Sequence, residues 1–415
     1  MHILFLTDNF PPEGNAPATR TYEHAREWVK AGHRVTVITG VPNFPEGKVF
    51  DGYQNKWYQK ECVEGIEVRR VKTFITANEG FVKRTLDFMS FMVTGFIAGL
   101  FVKRPDVVVA TSPQFFCAIA GWLLSALRRK PFIFELRDIW PASITAVGAM
   151  ERSIVIRFLE KLEMFLYKRA DHIISVTHAF KKELGERGID TRKISVVLNG
   201  VDLSKYEPQP KDVELSNLYN LNGKFVAGYI GTHGMAHALE TIVEAAERLQ
   251  KQQDIVFLFA GGGAAVDNVK DLVEAKGLTN VRMLGRQDKS LMPKIWSLCD
   301  VSVVHLKDVP LFTSVIPSKI FESMGMGLPI LIGVPEGEAT EIVVSSGAGI
   351  AIAPENSDVM AESILQFYLD KECLSALSEN SLRAASQYSR RALANSMLES
   401  LEKVVKPAVA KSIVN

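Results

Sequence analysis

A chain of 415 residues is too long for one ordinary hydrophobic core and is expected to form two domains of roughly 200 residues each. Hydrophobic residues at 47% and charged residues at 23% describe a globular protein with ample apolar material to bury. The formal net charge of +1 gives no electrostatic reason to expect nucleic acid as a partner.

Met1 to Thr7 is apolar but lacks a basic leader and a cleavage signal, so it reads as a first buried strand rather than a signal peptide. Short β-branched runs follow at Val35–Thr39, Val107–Thr111, Phe132–Leu136, Ile173–Thr177 and Ser195–Leu198, together with Ile3–Thr7 at the start. Most are nearly continuous in hydrophobicity, as parallel strands covered on both faces require. Between them, Arg20–Ala31 and Ser153–Ala170 carry apolar residues at helical spacing, the alternation of a doubly wound α/β domain. Two apolar runs need a membrane reading. Leu86 to Phe101 is flanked by Lys83-Arg84 and Lys103-Arg104, and Phe115 to Leu127 is shorter. Both fall short of the roughly 18 to 20 apolar residues that span a bilayer, and Asp87 and Gly95 interrupt the first. Its basic flanks instead suit the interface of an anionic bilayer, and a buried helix pair explains the runs equally well.

The pattern pauses at Asn199-Gly200-Val201-Asp202, and the proline-containing polar stretch to Asn217 makes a linker. Strands resume at Phe225–Ile230, Val256–Ala260, Val281–Leu284, Val301–Leu306, Pro329–Gly333 and Gly349–Ala353, a second α/β domain of similar design without a sequence repeat. Arg390–Lys406 is helical and Pro407 is expected to break it. Ligands of such sheets bind beyond the carboxyl ends of the strands, so the expected site is the cleft between two facing domains. Four scattered cysteines, with no CxxC pair or Cys/His ligand spacing, argue for reduced cytosolic thiols and against a zinc site.

The most informative segment is Ser314-Val315-Ile316-Pro317-Ser318-Lys319-Ile320-Phe321-Glu322. Pro317 suits a helix start, where exposed amides and the helix dipole favour a phosphate. Ser318, Lys319 and Glu322 share one face at spacings of three and four, so an ammonium can meet a diphosphate while a carboxylate meets a ribose diol. The same spacing also fits an ordinary amphipathic helix with a surface Lys–Glu pair.

This segment, with the Gly327-Leu328-Pro329 turn, resembles the nucleotide-sugar motif of retaining family 4 glycosyltransferases of the GT-B fold. Further matching stretches are the Gly14 loop, Gly32-His33-Arg34-Val35, Asn199-Gly200-Val201-Asp202, Gly231, Gly261-Gly262-Gly263 and Leu284-Gly285, in the family's order. A subgroup of bacterial surface-polysaccharide transferases, including N-acetylfucosamine transferases of O-antigen and capsule pathways, is closer still. It is matched at Asn43-Phe44-Pro45-Glu46-Gly47, Asn78-Glu79-Gly80, Thr111-Ser112-Pro113 and Glu135-Leu136-Arg137-Asp138-Ile139-Trp140-Pro141.

The resemblance implies a GT-B enzyme of two doubly wound parallel-sheet domains, with residues 1–200 binding acceptor and residues 201–389 binding nucleotide sugar. The helix at 390–415 is expected to join the first. It implies a retaining, metal-independent transfer from a UDP-sugar, a substrate rather than a cofactor, to a lipid-linked saccharide. The place implied is the cytoplasmic face of the cell membrane, as a peripheral protein. Carried over by motif, Glu322, Ser318, Ser314, Val315, Ile316, Gly14, Gly231, Thr232, His237 and Arg286 contact the donor, and Lys319, Arg137 and Asp138 serve catalysis.

Three departures matter. Ser314 stands where the family has a first glutamate that contacts the donor sugar; Thr232 and His237 stand where it has an Arg and a Lys; Arg137-Asp138 replaces a common His-Asp. Lys319 and Arg286 then become the leading cations for the diphosphate, with His237 as a hydrogen-bond donor. Arg137 and Asp138 either orient the acceptor and stabilise charge or form an internal ion pair that holds the Trp140-Pro141 turn. No Asp-x-Asp occurs, which weighs against a metal-dependent rival fold. A nicotinamide oxidoreductase is weakened by Val266 at the third glycine position of the dinucleotide fingerprint. A nucleotide-sugar epimerase and a non-catalytic binding protein at the membrane remain as the other readings.

Overall fold

A computed structural model describes residues 1–44, 46–76, 81–112, 115–139 and 154–413. The chain divides into two compact units, Met1–Leu198 with Arg390–Asn415, and Asn199–Ser389.

In the first unit the order is β1 (His2–Leu6), α1 (Ala16–Lys30), β2 (Arg34–Gly40), β3 (Tyr58–Val63), β4 (Ile66–Val71), α2 (Phe81–Leu100), β5 (Val107–Thr111) and α3 (Phe115–Arg128). There follow β6 (Phe132–Leu136), α4 (Ile154–Arg169), β7 (His172–Ser175), α5 (His178–Glu186) and β8 (Ile194–Val196). The eight strands lie in the order β3-β4-β2-β1-β5-β6-β7-β8, parallel except for β3. Register is set by continuous apolar runs: Ile3 pairs with Val35 on one side and Val107 on the other. One sheet face packs on α2, α3 and α4 through Leu4, Leu6, Phe91, Leu124, Phe134 and Leu166. The opposite face, with Ile3, Phe5 and Val109, is covered by Trp28 of α1 and by Met397 and Leu401 of the closing helix.

The second unit holds α6 (Val213–Leu218), β9 (Phe225–Ile230), α7 (Leu239–Arg248), β10 (Ile255–Ala260), α8 (Val266–Ala275), β11 (Val281–Met283) and α9 (Met292–Ser297). It continues with β12 (Val301–His305), α10 (Lys319–Gly325), β13 (Ile330–Gly333), α11 (Glu338–Ser345), β14 (Gly349–Ile352), α12 (Ser357–Leu369) and α13 (Lys371–Ala385). Its six strands run β11-β10-β9-β12-β13-β14, and every pairing is parallel. The last helix, α14 (Arg390–Ile413), returns to the first unit, where Trp28 Nε1 donates to Ala394 O at 2.8 Å.

Both units are therefore doubly wound α/β domains. In each, the winding reverses beside a central strand, between β1 and β5 and between β9 and β12, where such sheets bind ligands.

Two expectations fail. The sequence reading has no strand between Gly40 and Val107, yet β3 and β4 form a hairpin there. Its turn puts Glu64 and Gly65 at positive φ, 46° and 83°, the backbone of a two-residue hairpin. The apolar pattern hides β4 because Arg69 and Arg70 are buried in it as ion-paired side chains; Arg70 meets Glu61 at 2.7 Å. The break expected at Pro407 does not occur either, since α14 runs on to Ile413. A proline removes one intrahelical hydrogen bond, which a long helix can lose without ending.

Candidate functional site

At the carboxyl ends of β9, β10 and β12 three loops are tied together by their backbones. Gly231 N donates to Ala260 O at 2.8 Å, His233 N to Gly262 O at 2.9 Å and Lys307 N to Ala236 O at 2.9 Å. Only glycine permits this approach: a Cβ on Gly261, whose φ is +147°, would sit 1.8 Å from Gly231 O. Three histidines complete the lock. His233 Nδ1 bonds Gly231 O at 3.0 Å, His305 Nδ1 bonds His237 O at 2.8 Å and His237 Nδ1 bonds His305 O at 3.3 Å.

Lys319 opens α10 above this lock. Its residue is 8% exposed, yet Nζ has no hydrogen-bond partner among the described residues. The ammonium lies 3.5 Å from the centroid of the Tyr229 ring, and a Cβ on Gly231 would come within 3.2 Å of Nζ. Burial pushes the Lys319 pKa down to about 7, with the Glu322 carboxylate pulling the other way. A cation held on a ring face over a bare glycine, at the winding reversal, has the chemistry to receive an anion.

Glu322 follows one turn later, half-buried, with Oε2 accepting from Trp296 Nε1 at 3.3 Å. Trp296 is fully buried on α9, so the indole fixes one carboxylate oxygen from beneath. A surface Lys–Glu pair is thereby ruled out, because Lys319 is inside.

The other second-unit residues are placed as follows. Thr232 is exposed, and its carbonyl accepts from Tyr229 OH at 2.7 Å. Burial and the Lys319 charge lower the His237 pKa to about 4, so the ring is neutral at physiological pH. A carbonyl can only accept, so Nδ1 carries the proton and Nε2 is left as an acceptor; hydrogen-bond donation from Nε2 then needs a second proton. Arg286 is exposed, with its stem against Gly262, Cβ at 3.5 Å from a Cβ built there. Ser314 Oγ donates to Leu311 O at 3.1 Å, within the turn that leads to α10. Val315 and Ser318 are half-buried and Ile316 is buried. The α-helix itself starts at Lys319, two residues after Pro317, because the first turn closes with Ile320 N to Pro317 O at 3.1 Å.

Gly14, Arg137 and Asp138 belong to the first unit. Gly14 is exposed between buried Glu13 and Asn15, the N-cap of α1. Glu13 Oε1 accepts from the amides of Asn43 and Phe44, both at 2.9 Å. Arg137 and Asp138 follow β6, and their amides donate to Ser112 Oγ at 2.8 and 3.3 Å. Beneath them Glu135 binds Arg20 at 2.8 Å, and Arg20 also donates to Leu198 O and Val197 O. Burial lowers the Arg137 pKa to about 10, with the Glu135 carboxylate pulling the other way. Trp140-Pro141, Asn78-Glu79-Gly80, Pro45 and Pro113 lie outside the described residues.

Sequence reasoning misses Tyr229, Trp296, His233 and His305. His233 reads as a loop or helix-start residue and the others carry no signal of their own, and no spacing connects the four to Lys319 or Glu322.

Comparison with known proteins fits this geometry. Residues 17–205 match the family described as Glycosyltransferase Family 4, and residues 214–384 match Glycosyl transferases group 1. A protein of Escherichia coli (strain K12) named as a colanic acid biosynthesis glycosyl transferase, WcaI, is 24% identical over 381 residues, covering 89% of this chain and 92% of its own. Among solved structures, sucrose-phosphate synthase from Thermosynechococcus elongatus superposes with a TM-score of 0.76 at 14% identity, over 98% of this chain and 99% of that one. Anabaena HepE in complex with UDP-glucose gives 0.70 at 17% identity, over 97% and 100%. These neighbours share the GT-B fold. With the two family matches taking in most of its length, the chain belongs to the glycosyltransferases, a Family 4 domain followed by a group 1 domain.

Proposed function

We propose that this chain moves a sugar from a UDP-sugar to a lipid-linked saccharide, with retention of configuration, during assembly of a bacterial surface polysaccharide such as O-antigen or capsule. The sugar is N-acetylfucosamine or another N-acetylated deoxy sugar, and the enzyme works without a metal, as a peripheral protein on the cytoplasmic face of the cell membrane. The observation that carries the reading is the buried Lys319 ammonium, without a hydrogen-bond partner among the described residues, one turn from Glu322 at the winding reversal of the second unit.

In this reading Lys319 meets the diphosphate and neutralises the charge that builds on it as the sugar leaves. The Glu322 oxygens accept from the ribose hydroxyls, and Arg286 closes on the phosphates from the Gly262 side. The UDP-glucose complex of HepE supports a uridine donor, and the colanic acid name of WcaI supports a polysaccharide product. Ser314 offers a short hydroxyl, already donated to Leu311 O, where the family has a carboxylate, which suits a sugar with fewer hydroxyls to recognise. Gly14 contacts the donor, and Arg137 and Asp138 serve catalysis.

Thermal unfolding with UDP, with a panel of UDP-sugars and with other nucleotides tests the donor. Binding to the native state raises the melting temperature, most for the cognate sugar. No rise with UDP or any UDP-sugar defeats the donor assignment. NMR of the product then reads the anomeric configuration, and inversion defeats retention.

A further inference from the structure

Helix α2 departs from the rule for a surface helix. Its inner side, Phe91 and Ala98, is buried against the sheet. Its outer side carries Leu86, Met89, Val93 and Ile97, and Phe101 extends the row past the helix end, at steps of three and four. All five are between 42% and 71% exposed. A surface helix normally turns charged residues to water; one that is apolar all round expects a second apolar neighbour.

The neighbouring helix widens the face. Gly99 lets α3 approach closely, since a Cβ there would lie 2.3 Å from Leu124 Cδ1. Arg128 of α3 caps α2 through Gly99 O at 3.2 Å. On the outside of α3, Leu123 and Leu127 are exposed. Trp122 stacks edge-on against Phe165 of α4 at 4.9 Å, and Phe158 of α4 is exposed as well. The three helices thus form one packed layer on one face of the sheet.

Charge identifies the occupant. Lys83 and Arg84 stand exposed at the start of α2, Lys103 and Arg104 beyond its end, and Arg129 beyond the end of α3. The two helices contain a single acidic residue, Asp87. A chain with net charge +1 has therefore placed basic residues at both ends of this apolar face. Among the described residues no helix is long and apolar enough to cross a membrane.

We propose that the outer face of α2 and α3 docks on an anionic phospholipid surface, the apolar row entering the headgroup boundary and the flanking lysines and arginines meeting lipid phosphates. The proposal deepens the reading of a membrane-borne acceptor and rests on it for its purpose, but its observations are independent of the donor site. Seated this way, the enzyme is held where a lipid-linked acceptor is found.

The test uses the full chain with phosphatidylcholine vesicles, with and without phosphatidylglycerol, floated on a density gradient at low and high salt. Donor and acceptor are left out, so the result is separate from the donor assignment. The protein is expected to float with phosphatidylglycerol vesicles at low salt and to be released at high salt. Changing Met89, Val93 and Ile97 together to Ser is expected to abolish flotation while the melting temperature holds, because all three side chains already face water. Lys103→Gln with Arg104→Gln is expected to lower partitioning about thirty-fold, roughly fivefold for each charge. Failure of the wild type to float at low salt overturns the proposal, as does a triple variant that floats like the wild type. A lipid-free dimer by light scattering that the triple variant dissolves also overturns it, by giving the face to a second copy.

Discussion

The two units hold their best-defined buried charges in opposite ways. In the first, several buried ions meet an opposite charge, while Arg137 Nη1 has no hydrogen-bond partner among the described residues. Arg20 and Glu135, both 1% exposed, lie 2.8 Å apart, and Arg20 also binds two backbone carbonyls. Arg390 of α14 meets Glu23 of α1 at 2.6 Å, and Glu163 of α4 meets Arg187 at 2.5 Å. These pairs fasten one element to another. In the second unit Lys319 is also buried, but an aromatic face and glycine backbone surround its ammonium. Burying a charge costs free energy that only a partner offsets. A paired charge is therefore architecture, and one without a charged partner is a candidate for function.

The contrast breaks most easily at Arg20. Arg20→Ala leaves Glu135 buried without its cation and should cost about 3–5 kcal/mol of stability, read by denaturant unfolding. Calorimetry should show donor affinity little changed in the folded fraction. A cost below about 1 kcal/mol would mean that the pairs of the first unit are incidental.

Lys319→Met should do the reverse. Turnover is expected to fall about 100- to 1000-fold, as when one preorganised donor is lost from a charge-stabilising site. The free variant should melt no earlier than the wild type at pH 6. The sign follows from the pKa: about 7 when folded, against about 10.4 for an unfolded lysine. Between those values the unfolded chain holds more protons, so wild-type stability rises with pH through that window, and the burial cost is complete below it. The methionine variant should lack that rise. Donor affinity of the wild type should weaken above pH 7, where Lys319 must take up a proton to meet the diphosphate.

The same contrast explains what was legible in the sequence. Parallel strands such as Val107–Thr111 and Phe225–Ile230 are read from their composition because both faces are covered. The hairpin of β3 and β4 is not, since Arg69 and Arg70 break the apolar run and only the fold supplies their partners. Lys319 and Glu322 were readable as a spacing, but spacing does not say whether a lysine is inside. That depends on Tyr229, ninety residues earlier on β9, and on the close approach of the Gly231 and Gly261 loops. The membrane-like run at Leu86 to Phe101 was visible as composition, and the structure divides it into an inner and an outer side.

Glu322→Ala should weaken donor binding by about 1.5–3 kcal/mol, the value of a hydrogen bond to a charged group. Calorimetry on the folded variant decides it, and unchanged affinity removes the carboxylate from the ribose.

The smallest effect tests how far the receptor is preorganised. Trp296 donates one hydrogen bond to Glu322 Oε2 and otherwise fills the core between α9 and the sheet. Trp296→Phe removes the donor while keeping most of the ring. If the indole orients the carboxylate, KM for the donor rises by about 0.5–1.5 kcal/mol in free-energy terms, with kcat held, because the ribose contact is made equally before and during transfer. If the indole only fills space, the melting temperature falls and KM stays where it was. A carboxylate that keeps its grip without the indole would show that Glu322 is held by its helix alone, and the difference between the two units would then narrow to the single ammonium of Lys319.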